Sequence, residues 1–567
     1  MEGGGVSPIR AASASVPRAA KLWHTGAYSS FGIEFMKYDA IIIGAGHNGL
    51  VCAFYLARAG MKVLVLERRD IVGGAAITQE FHPGFRNSMA SYAVSLLNPK
   101  VIADMGLHEQ GLRIVERSIS NFLPLPEGGG LRVGGGLERT QAEVAKFSRK
   151  DAEALPSYYR AVDQAADVLR ELVLKAPPNA GGGVNDLLRL ATQARGVAKL
   201  DLEGQRNLFD LFTLSAREFL NRWFESDPIK AVFGFDAIVG NFASPSAPGS
   251  AYVLVHHLFG EVNGNKGAWG HAIGGMGAIT QAMKRACEAV GVTIRTEAPV
   301  ARVLVKKGRA AGVILESGET ITADRVVGNL HPKLLFTKLL SAEELGADFA
   351  HRIDNYVSGS GTFRMNVALS ELPKFRGMPE TGDHLGSGII CAPSLDYMER
   401  AYDDAKVFGW SRKPIVEVIM PSVLDDTLAP PGKHVAALFC QHFAPKLPDG
   451  RSWDDVKEEV ADHIIDTVTE YAPNFRSAIL GRVALSPLDL ERTFALVGGD
   501  IMHGRMSLDQ LWAARPILGH GDYRSPIDGL YMCGAGTHPG GGVTGAPGHN
   551  AAQEILRDRS MLKRLFG

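Results

Sequence analysis

The stretch from Tyr38 to Glu67 reads YDAIIIGAGHNGLVCAFYLARAGMKVLVLE. Its first part, Tyr38–Ile43, is short, apolar and rich in β-branched residues, which predicts a buried parallel strand. A glycine-rich turn then leads into a predicted helix over Leu50–Ala59, and the glycine that follows ends this helix. A second apolar run, Lys62–Leu66, predicts another strand. The order strand, helix, strand is a complete βαβ unit.

The glycines of the turn have separate predicted roles. Gly44 makes the tight turn out of the strand, and Gly46 lacks a side chain, so that a pyrophosphate can approach the backbone. Gly49 lets the helix pack closely on the strand, and Glu67 at the tip of the second strand can accept the hydroxyls of a ribose. The predicted contacts at the helix start and after the second strand also include His47, Asn48 and Arg68. The pattern is typical of dinucleotide binding.

A second glycine pair, Gly73-Gly74, follows Glu67 and extends the pattern to GxGxxGxxxAxxLxxxGxxVxVxExxxxxGG. This string resembles the extended FAD fingerprint of amine oxidases, phytoene desaturases and carotenoid isomerases. The resemblance implies that Gly73, Gly74 and the adjacent Ala75 pass close to the phosphate and ribityl region of the cofactor. It favours non-covalently bound FAD over NAD.

The C-terminal part of the chain predicts a second cofactor segment. A short strand over Gly529–Gly534 runs into a glycine-dense loop, and a helix is predicted over Ala551–Lys563. The loop resembles the flavin motif GxxTxPGxGxxG of phytoene desaturase-like enzymes, in which a helix N-terminus faces the N1–O2 edge of the isoalloxazine. The residues that the resemblance places at the flavin are Gly534, Gly542, Val543, Thr544 and Gly545.

A third segment lies between these two. Gly274-Gly275-Met276-Gly277 opens a predicted helix over Ala278–Val290, and several short strands follow as far as Val327. By the same family resemblance, Val300 binds the adenine through its backbone and Asn329 ends a strand beside the cofactor. A β-meander without a ligand is the alternative interpretation of this segment.

These segments together predict an α/β fold, namely a Rossmann-type FAD-binding domain with the glutathione reductase-like GxGxxG and GG motif, interleaved with an α+β substrate domain. The FAD-binding domain is predicted to be discontinuous, over residues 36–150, 270–340 and 480–567. The substrate or lid domain is predicted over residues 151–268 and 345–480. It contains helical patterns such as Leu155–Leu174 and Leu211–Trp223, and substrate is expected over the flavin at the domain junction.

Longer motifs identify a branch of this family. IGAGHNGL at Ile43–Leu50, GAWG at Gly267–Gly270 and RSPIDGLYMCGAGTHPGGGVTGAPG at Arg524–Gly548 resemble the pyridine nucleotide-disulphide oxidoreductase domain-containing proteins of the phytoene desaturase and carotenoid isomerase branch. The resemblance covers residues 36–567. The five cysteines form no CxxC pair, so disulphide chemistry is not indicated. A second GxGxxG after a strand is not seen, and a nicotinamide site is therefore not predicted.

Composition excludes several other classes of protein. Lys and Arg number 60 and Asp and Glu 61, so the net charge of −1 gives no broad positive field for nucleic acid. The chain has no uncharged apolar run of the roughly 18 residues that a membrane span needs, although contact with a membrane surface stays open. No metal site is predicted. Residues 1–35 are basic and contain Ser but few acids, which predicts a transit peptide to the mitochondrial matrix. The alternatives are a start site assigned too early, since Met36 stands two residues before the first strand, or a disordered tail, in either case of a cytoplasmic protein.

The sequence does not single out a catalytic group. His256 and His538 are candidates because histidine transfers protons near neutral pH, and Trp269 is a candidate for stacking over the flavin. The first functional hypothesis is an FAD-dependent oxidoreductase that transfers hydride between a small or lipophilic substrate and flavin N5. The alternatives are a redox-neutral polyene isomerase and an FAD-containing regulatory or interaction protein of mitochondrial function. Oligomeric state and electron acceptor are left open.

Overall fold

The computed structural model describes residues 37–566, with side chains to residue 561. The predicted tail, residues 1–35, lies outside the described residues. Within the described part, no helix combines the length and the apolarity needed to cross a bilayer.

The strands range from two to ten residues in length. In chain order they are β1 Ala40–Ile43, β2 Val63–Leu66, β3 Thr78–His82, β4 Phe85–Ser88, β5 Ile114–Glu116, β6 Asn121–Pro124, β7 Gly130–Val133, β8 Glu261–Val262, β9 Asn265–Lys266, β10 Gly270–Ala272, β11 Thr293–Arg295, β12 Val300–Lys306, β13 Arg309–Leu315, β14 Thr320–Thr322, β15 Val326–Gly328, β16 Phe363–Leu369, β17 Gly388–Cys391, β18 Trp410–Ile419, β19 His434–Phe443, β20 Ile479–Leu485 and β21 Leu530–Met532.

The α-helices range from a single turn to more than twenty residues. They are α1 His47–Arg58, α2 Pro99–Asp104, α3 Leu137–Val144, α4 Arg149–Val173, α5 Val184–Ala198, α6 Leu202–Thr213, α7 Ala216–Asn221, α8 Asp227–Asp236, α9 Ala251–His256, α10 Met276–Ala289, α11 Ala342–Leu345, α12 Ala347–Asp354, α13 Leu395–Phe408, α14 Trp453–Tyr471, α15 Phe475–Ala478, α16 Pro487–Phe494 and α17 Ala546–Phe566.

A five-stranded parallel sheet, in the order β11-β2-β1-β15-β21, joins the three sequence segments that carry the cofactor motifs. In its centre Ile42 pairs with Val65 on one side and with Val327 on the other. Successive residues of β1 belong in turn to two different hydrophobic clusters: Ile42 belongs to one and Ile41 to the other. Both faces of the sheet are therefore buried, which explains why the strand sequence is apolar without alternation.

The structure also contains a seven-stranded sheet, in the order β20-β16-β19-β18-β17-β6-β7. Its pairs are antiparallel except β17 with β6. One face packs against α14 through residues such as Met365 and Leu438, and the other face packs against the helices that precede β8. The predicted FAD segment 36–150 contributes β6 and β7 to this sheet, and the segment 480–567 contributes most of β20; the domain boundaries stay a prediction.

Two helices differ from the sequence-based expectation. The pattern predicts one helix over Leu211–Trp223, but the chain forms α6 and α7, with Leu214 extended and a capping box at Ser215. The apolar periodicity continues across this break, so periodicity alone does not reveal it.

At the C-terminus, α17 begins at Ala546 instead of Ala551, because the Thr544 hydroxyl accepts the Ala546 N–H. Proline in the first turn is compatible with that start.

Candidate functional site

One cavity runs along the carboxyl ends of the parallel strands and into the space in front of the seven-stranded sheet. Most of the residues predicted to bind cofactor line it, although they come from three separated segments. These lining residues are Gly44, Gly46, His47, Asn48, Glu67, Arg68, Gly73, Gly74, Ala75, Val300, Asn329, Gly542 and Val543. We use the name cofactor cradle for Gly44, Gly46, Glu67, Gly73, Gly74 and Asn329.

Glu67 lies at the tip of β2, where the sequence places it, and it is buried. One carboxylate oxygen accepts the Ala45 N–H at 2.9 Å and the other accepts the Arg69 N–H at 3.0 Å. These bonds hold the carboxylate against the cavity wall. Each carboxylate oxygen has a further lone pair, so Glu67 can also accept a hydroxyl from a ribose.

The glycines of the cradle are required by close backbone contacts. A Cβ on Gly49 would lie 2.3 Å from the Gly44 carbonyl oxygen, and a Cβ on Gly46 would lie 2.9 Å from Nδ2 of Asn329. The same Nδ2 donates to the Gly44 carbonyl at 3.1 Å. Asn329 therefore clamps the turn from β15, a contribution that the spacing of the glycines does not reveal. Gly49 itself supports the turn from outside the cavity lining.

The start of α1 offers hydrogen-bond donors to the cavity. The cap residue Gly46 supplies no side-chain hydrogen bond, so the first backbone N–H groups of the helix, from His47 onward, lack an intrahelical partner. Nε2 of His47 and Oδ1 of Asn48 are also buried without a partner. Burial lowers the pKa of His47 to about 4, so its ring is neutral at pH 7. Unpaired donors at a helix N-terminus beside a narrow glycine turn fit the pyrophosphate of FAD.

The second glycine pair packs against the first turn. The Gly73 N–H donates to the Ala45 carbonyl at 2.9 Å, and a Cβ on Gly74 would lie 3.3 Å from the Cα of Gly46. The adjacent Arg68 extends from the cavity wall to the end of α16, where it donates to the carbonyls of Arg492 and Thr493. The predicted contact of Arg68 with the cofactor therefore competes with this helix-end contact.

The C-terminal loop reaches the cavity at Gly542 and Val543, whereas its neighbours have supporting positions. Thr544 is buried and caps α17, and a Cβ on Gly545 would lie 3.1 Å from Val101. Gly534 lies where β21 ends, in contact with the backbone of Leu330. The structure thus brings all the predicted segments together, with Gly49, Gly534, Thr544 and Gly545 just outside the cavity lining.

Beyond the cradle the cavity widens between largely apolar side chains. We call this part the aromatic chamber and define it by Ala90, Tyr92, Val94, Val239, His257, Trp269, Ile501 and Met502. Reciprocal backbone hydrogen bonds between Val94 and Gly270 hold the Tyr92 segment beside Trp269. The rings of His257 and Trp269 stack with centroids 6.2 Å apart.

The three candidate catalytic residues occupy different places. Trp269 lines the chamber, as the flavin-stacking hypothesis requires. His256 and His538 lie outside the cavity lining: Nε2 of His256 bonds to the Gly541 carbonyl at 3.2 Å, and Nε2 of His538 to the Leu172 carbonyl at 3.1 Å. Burial lowers the pKa of His538 to about 4. Both contacts support the loop backbone, and a catalytic role for either ring stays a hypothesis.

Two further groups in the cavity wall carry unpaired atoms. Nε2 of His257 and Nδ1 of His503 are buried without a hydrogen-bond partner. Burial lowers the pKa of His257 to about 4 and that of His503 to about 3, so both rings are neutral at pH 7.

Tyr92 was missed by sequence reasoning because it belongs to no motif; only its position after the GG segment could have drawn attention to it.

Comparisons with known proteins show the family of the chain. The family model described as flavin containing amine oxidoreductase matches residues 49–556. Pyridine nucleotide-disulfide oxidoreductase domain-containing protein 2 of Rattus norvegicus is 40% identical over 92% of this chain and 94% of its own length. A limonene dehydrogenase polypeptide of Castellaniella defragrans is 26% identical, over 93% of this chain and 96% of its own. A lycopene-forming phytoene desaturase of Pseudescherichia vulneris is 25% identical, over 89% and 96%.

A solved structure gives the same fold. A putrescine oxidase variant from a redesign of cofactor binding superposes with a TM-score of 0.58, at 17% identity, over 93% of this chain and 99% of that one. At this level of identity the likeness concerns the fold alone. The family model, which spans most of the chain, and the close rat relative carry the assignment. The chain is an FAD-dependent oxidoreductase and belongs to the family of flavin-containing amine oxidoreductases.

Proposed function

We propose that the protein oxidises a small, largely apolar substrate, with the cofactor cradle holding FAD non-covalently and the aromatic chamber holding the substrate. The observation that carries this proposal is the continuity of one cavity, which joins the Glu67 end of the cradle to Tyr92 and Trp269. When bound, FAD supplies a two-electron acceptor at its N5 atom, to which a substrate C–H bond can deliver hydride. The named substrates of two relatives, limonene and phytoene, are apolar, which supports an apolar substrate here.

The chain's own residues then have defined tasks. We propose that the N-terminus of α1 and the Gly73-Gly74 turn bind the pyrophosphate, as in the glutathione reductase-like arrangement, and that Glu67 binds the ribose. Val300 is proposed to bind the adenine, and Gly542 and Val543 the flavin edge. The apolar walls of the chamber exclude water and orient the substrate against the flavin.

The test is anaerobic reduction of the bound flavin. Purified protein is mixed without oxygen with a panel of apolar alcohols, carboxylic acids, terpenes and carotenoid precursors, and the flavin absorption near 450 nm is followed. Bleaching by a panel member, with release of its oxidised form, is the expected result. Conversion of a polyene without bleaching would favour the redox-neutral isomerase instead. A flavin that no panel member bleaches or converts would contradict the proposal and favour the regulatory alternative.

A further inference from the structure

A row of three side chains crosses the middle of the seven-stranded sheet behind the aromatic chamber. Arg364 of β16 pairs with Phe439 of β19, and Phe439 pairs in turn with Glu417 of β18. Residues that pair directly across neighbouring strands point to the same face of a sheet. This face holds a guanidinium, a phenyl ring and a carboxylate in one line, and all three side chains are buried.

Tyr92 covers this row and also lines the chamber. Its hydroxyl donates to Oε2 of Glu417 at 2.7 Å, and its ring stacks on Phe439 with centroids 5.1 Å apart. The guanidinium carbon of Arg364 lies 4.6 Å from the centre of the Tyr92 ring. The chamber side of Tyr92 is therefore an aromatic wall with a cation behind it.

The other aromatic wall has the same construction. The guanidinium carbon of Arg117 lies 5.6 Å from the centre of the Trp269 ring, and the backbone N–H of Arg117 donates to the Trp269 carbonyl at 3.0 Å. Arg117 and Arg364 thus stand behind the two large aromatic side chains of the chamber. Nε and Nη2 of Arg364 are buried without a hydrogen-bond partner.

Two guanidiniums but one carboxylate, that of Glu417, are in contact with the two aromatic walls. The carboxyls that act on the two guanidiniums are Glu417 and Asp236. Burial raises the pKa of Asp236 to about 8, so this group is mostly protonated at pH 7. Burial also raises the pKa of Glu417. At pH 7 the two guanidiniums are therefore accompanied by Glu417 and by a mostly protonated Asp236.

A buried excess of positive charge is unfavourable until an anion offsets it, and it repels a second cation in the same low-dielectric space. We propose that the chamber binds an apolar substrate that carries a carboxylate, and that Arg117 and Arg364 behind Trp269 and Tyr92 select this group against an ammonium. This inference rests on the proposed function and names its substrate class. It separates this chain from family members that oxidise amines, such as the structurally similar putrescine oxidase.

The test is a comparison of three probes of one shape and different charge. Cyclohexanecarboxylate, cyclohexanol and cyclohexylammonium are titrated calorimetrically at pH 7 into the FAD-bound protein. The expected Kd of the carboxylate is at least about tenfold below that of the ammonium, with the alcohol between them. Equal or tighter binding of the ammonium, or no binding of the carboxylate, would overturn the proposal.

Variants show whether these guanidiniums cause the preference. Arg117→Met keeps an apolar side chain of similar length and is expected to reduce the carboxylate preference about tenfold. Arg412→Met removes the same charge from an exposed pair with Asp404 and is expected to leave the preference unchanged. An equal reduction in both variants would show a general effect of net charge and would overturn the proposal. Tm and flavin absorption of each variant report whether it folds.

A measurement on the unchanged protein covers the case in which Arg117→Met does not fold. The groups that act on Asp236 are Arg117, Glu417 and Tyr158. Raising the pH from 7 to 9 ionises Asp236 while the arginines stay charged, so the carboxylate preference is expected to fall. A preference that stays constant or rises with pH would contradict the charge count. Because no probe needs to be oxidised, these binding results are separate from flavin reduction, which tests the proposed function.

Discussion

The cofactor cradle and the aromatic chamber line one cavity but are built differently. The cradle consists mainly of backbone: glycines that allow close approach, the unpaired N–H groups of α1, and Glu67 bonded to backbone donors. The chamber consists of side chains from segments far apart in sequence, such as Tyr92, Val239 and Trp269. We propose that FAD binding depends on this backbone shape, whereas the choice of substrate depends on a few side chains in the chamber walls.

The strongest test of the cradle is Gly49→Ala. The new Cβ would lie 2.3 Å from the Gly44 carbonyl oxygen, which is backbone and cannot move without opening the turn. We expect a loss of about 1–3 kcal/mol in stability and of most of the bound flavin, measured as the ratio of flavin to protein absorption. Gly183→Ala is the matched control, since its Cβ meets no atom within 4 Å and its φ is −76°. Full flavin content in Gly49→Ala would show that the tight turn is not needed.

A smaller effect is expected from Glu67→Gln. The carboxylate accepts the N–H groups of Ala45 and Arg69, and an amide can accept only one of them while its NH2 opposes the other. FAD added to the apoprotein should bind about tenfold more weakly, as measured by quenching of flavin fluorescence. Glu319→Gln, on the exposed pair with Arg295, should bind FAD like the unchanged protein. Unchanged affinity in Glu67→Gln would remove Glu67 from the cofactor site.

The third test concerns the contact between the loop after β18 and the segment that leads from β10 into α10. Asp425, in the loop between β18 and β19, accepts hydrogen bonds from His271 at 3.0 Å and from the Gly274 N–H at 2.7 Å, just before α10. Burial acts to raise the pKa of Asp425, but these bonds, together with those from the hydroxyl and the N–H of Thr427, outweigh it and lower the pKa from 3.8 to about 2. A depressed carboxyl pKa stabilises the fold above the unfolded-state pKa, and this stabilisation is lost as the pH falls through the folded-state pKa.

Asp425→Asn should therefore cost about 1–2 kcal/mol at neutral pH. Thermal unfolding of both proteins between pH 7 and pH 2 measures the gap in Tm. It should be constant above about pH 5 and should close between pH 4 and pH 2. A gap that widens on acidification would contradict the assigned role of Asp425.

The parallel sheet and the cradle could be predicted because their signals are local. The βαβ motif fixes the positions of Gly44, Gly46 and Glu67 within one short stretch, and the glycine motifs near Gly73 and Gly542 mark the other walls. Family resemblance, rather than spacing, brought the three segments together in the prediction. The clamp by Asn329 needed the structure, because its contact with Gly46 depends on the alignment of β1 with β15.

The chamber could not be predicted, because its contacts are not local. Arg364, Phe439 and Glu417 become neighbours only through the register of β16, β19 and β18, and no local pattern sets that register. Residue type did not distinguish two neighbouring histidines: His257 lines the cavity, while the adjacent His256 bonds to the loop backbone. Adjacent residues on a helix face different directions, so residue type alone does not identify the one that reaches the cavity.

The most direct test of the account is an absorption spectrum of the purified protein during anaerobic titration, first with NADH and NADPH and then with apolar carboxylates. The account predicts flavin peaks that the nicotinamides leave unchanged and that one of the carboxylates bleaches. A colourless protein that cannot take up added FAD would contradict the cofactor cradle. Bleaching by a nicotinamide alone would contradict the assignment of the aromatic chamber to an apolar substrate.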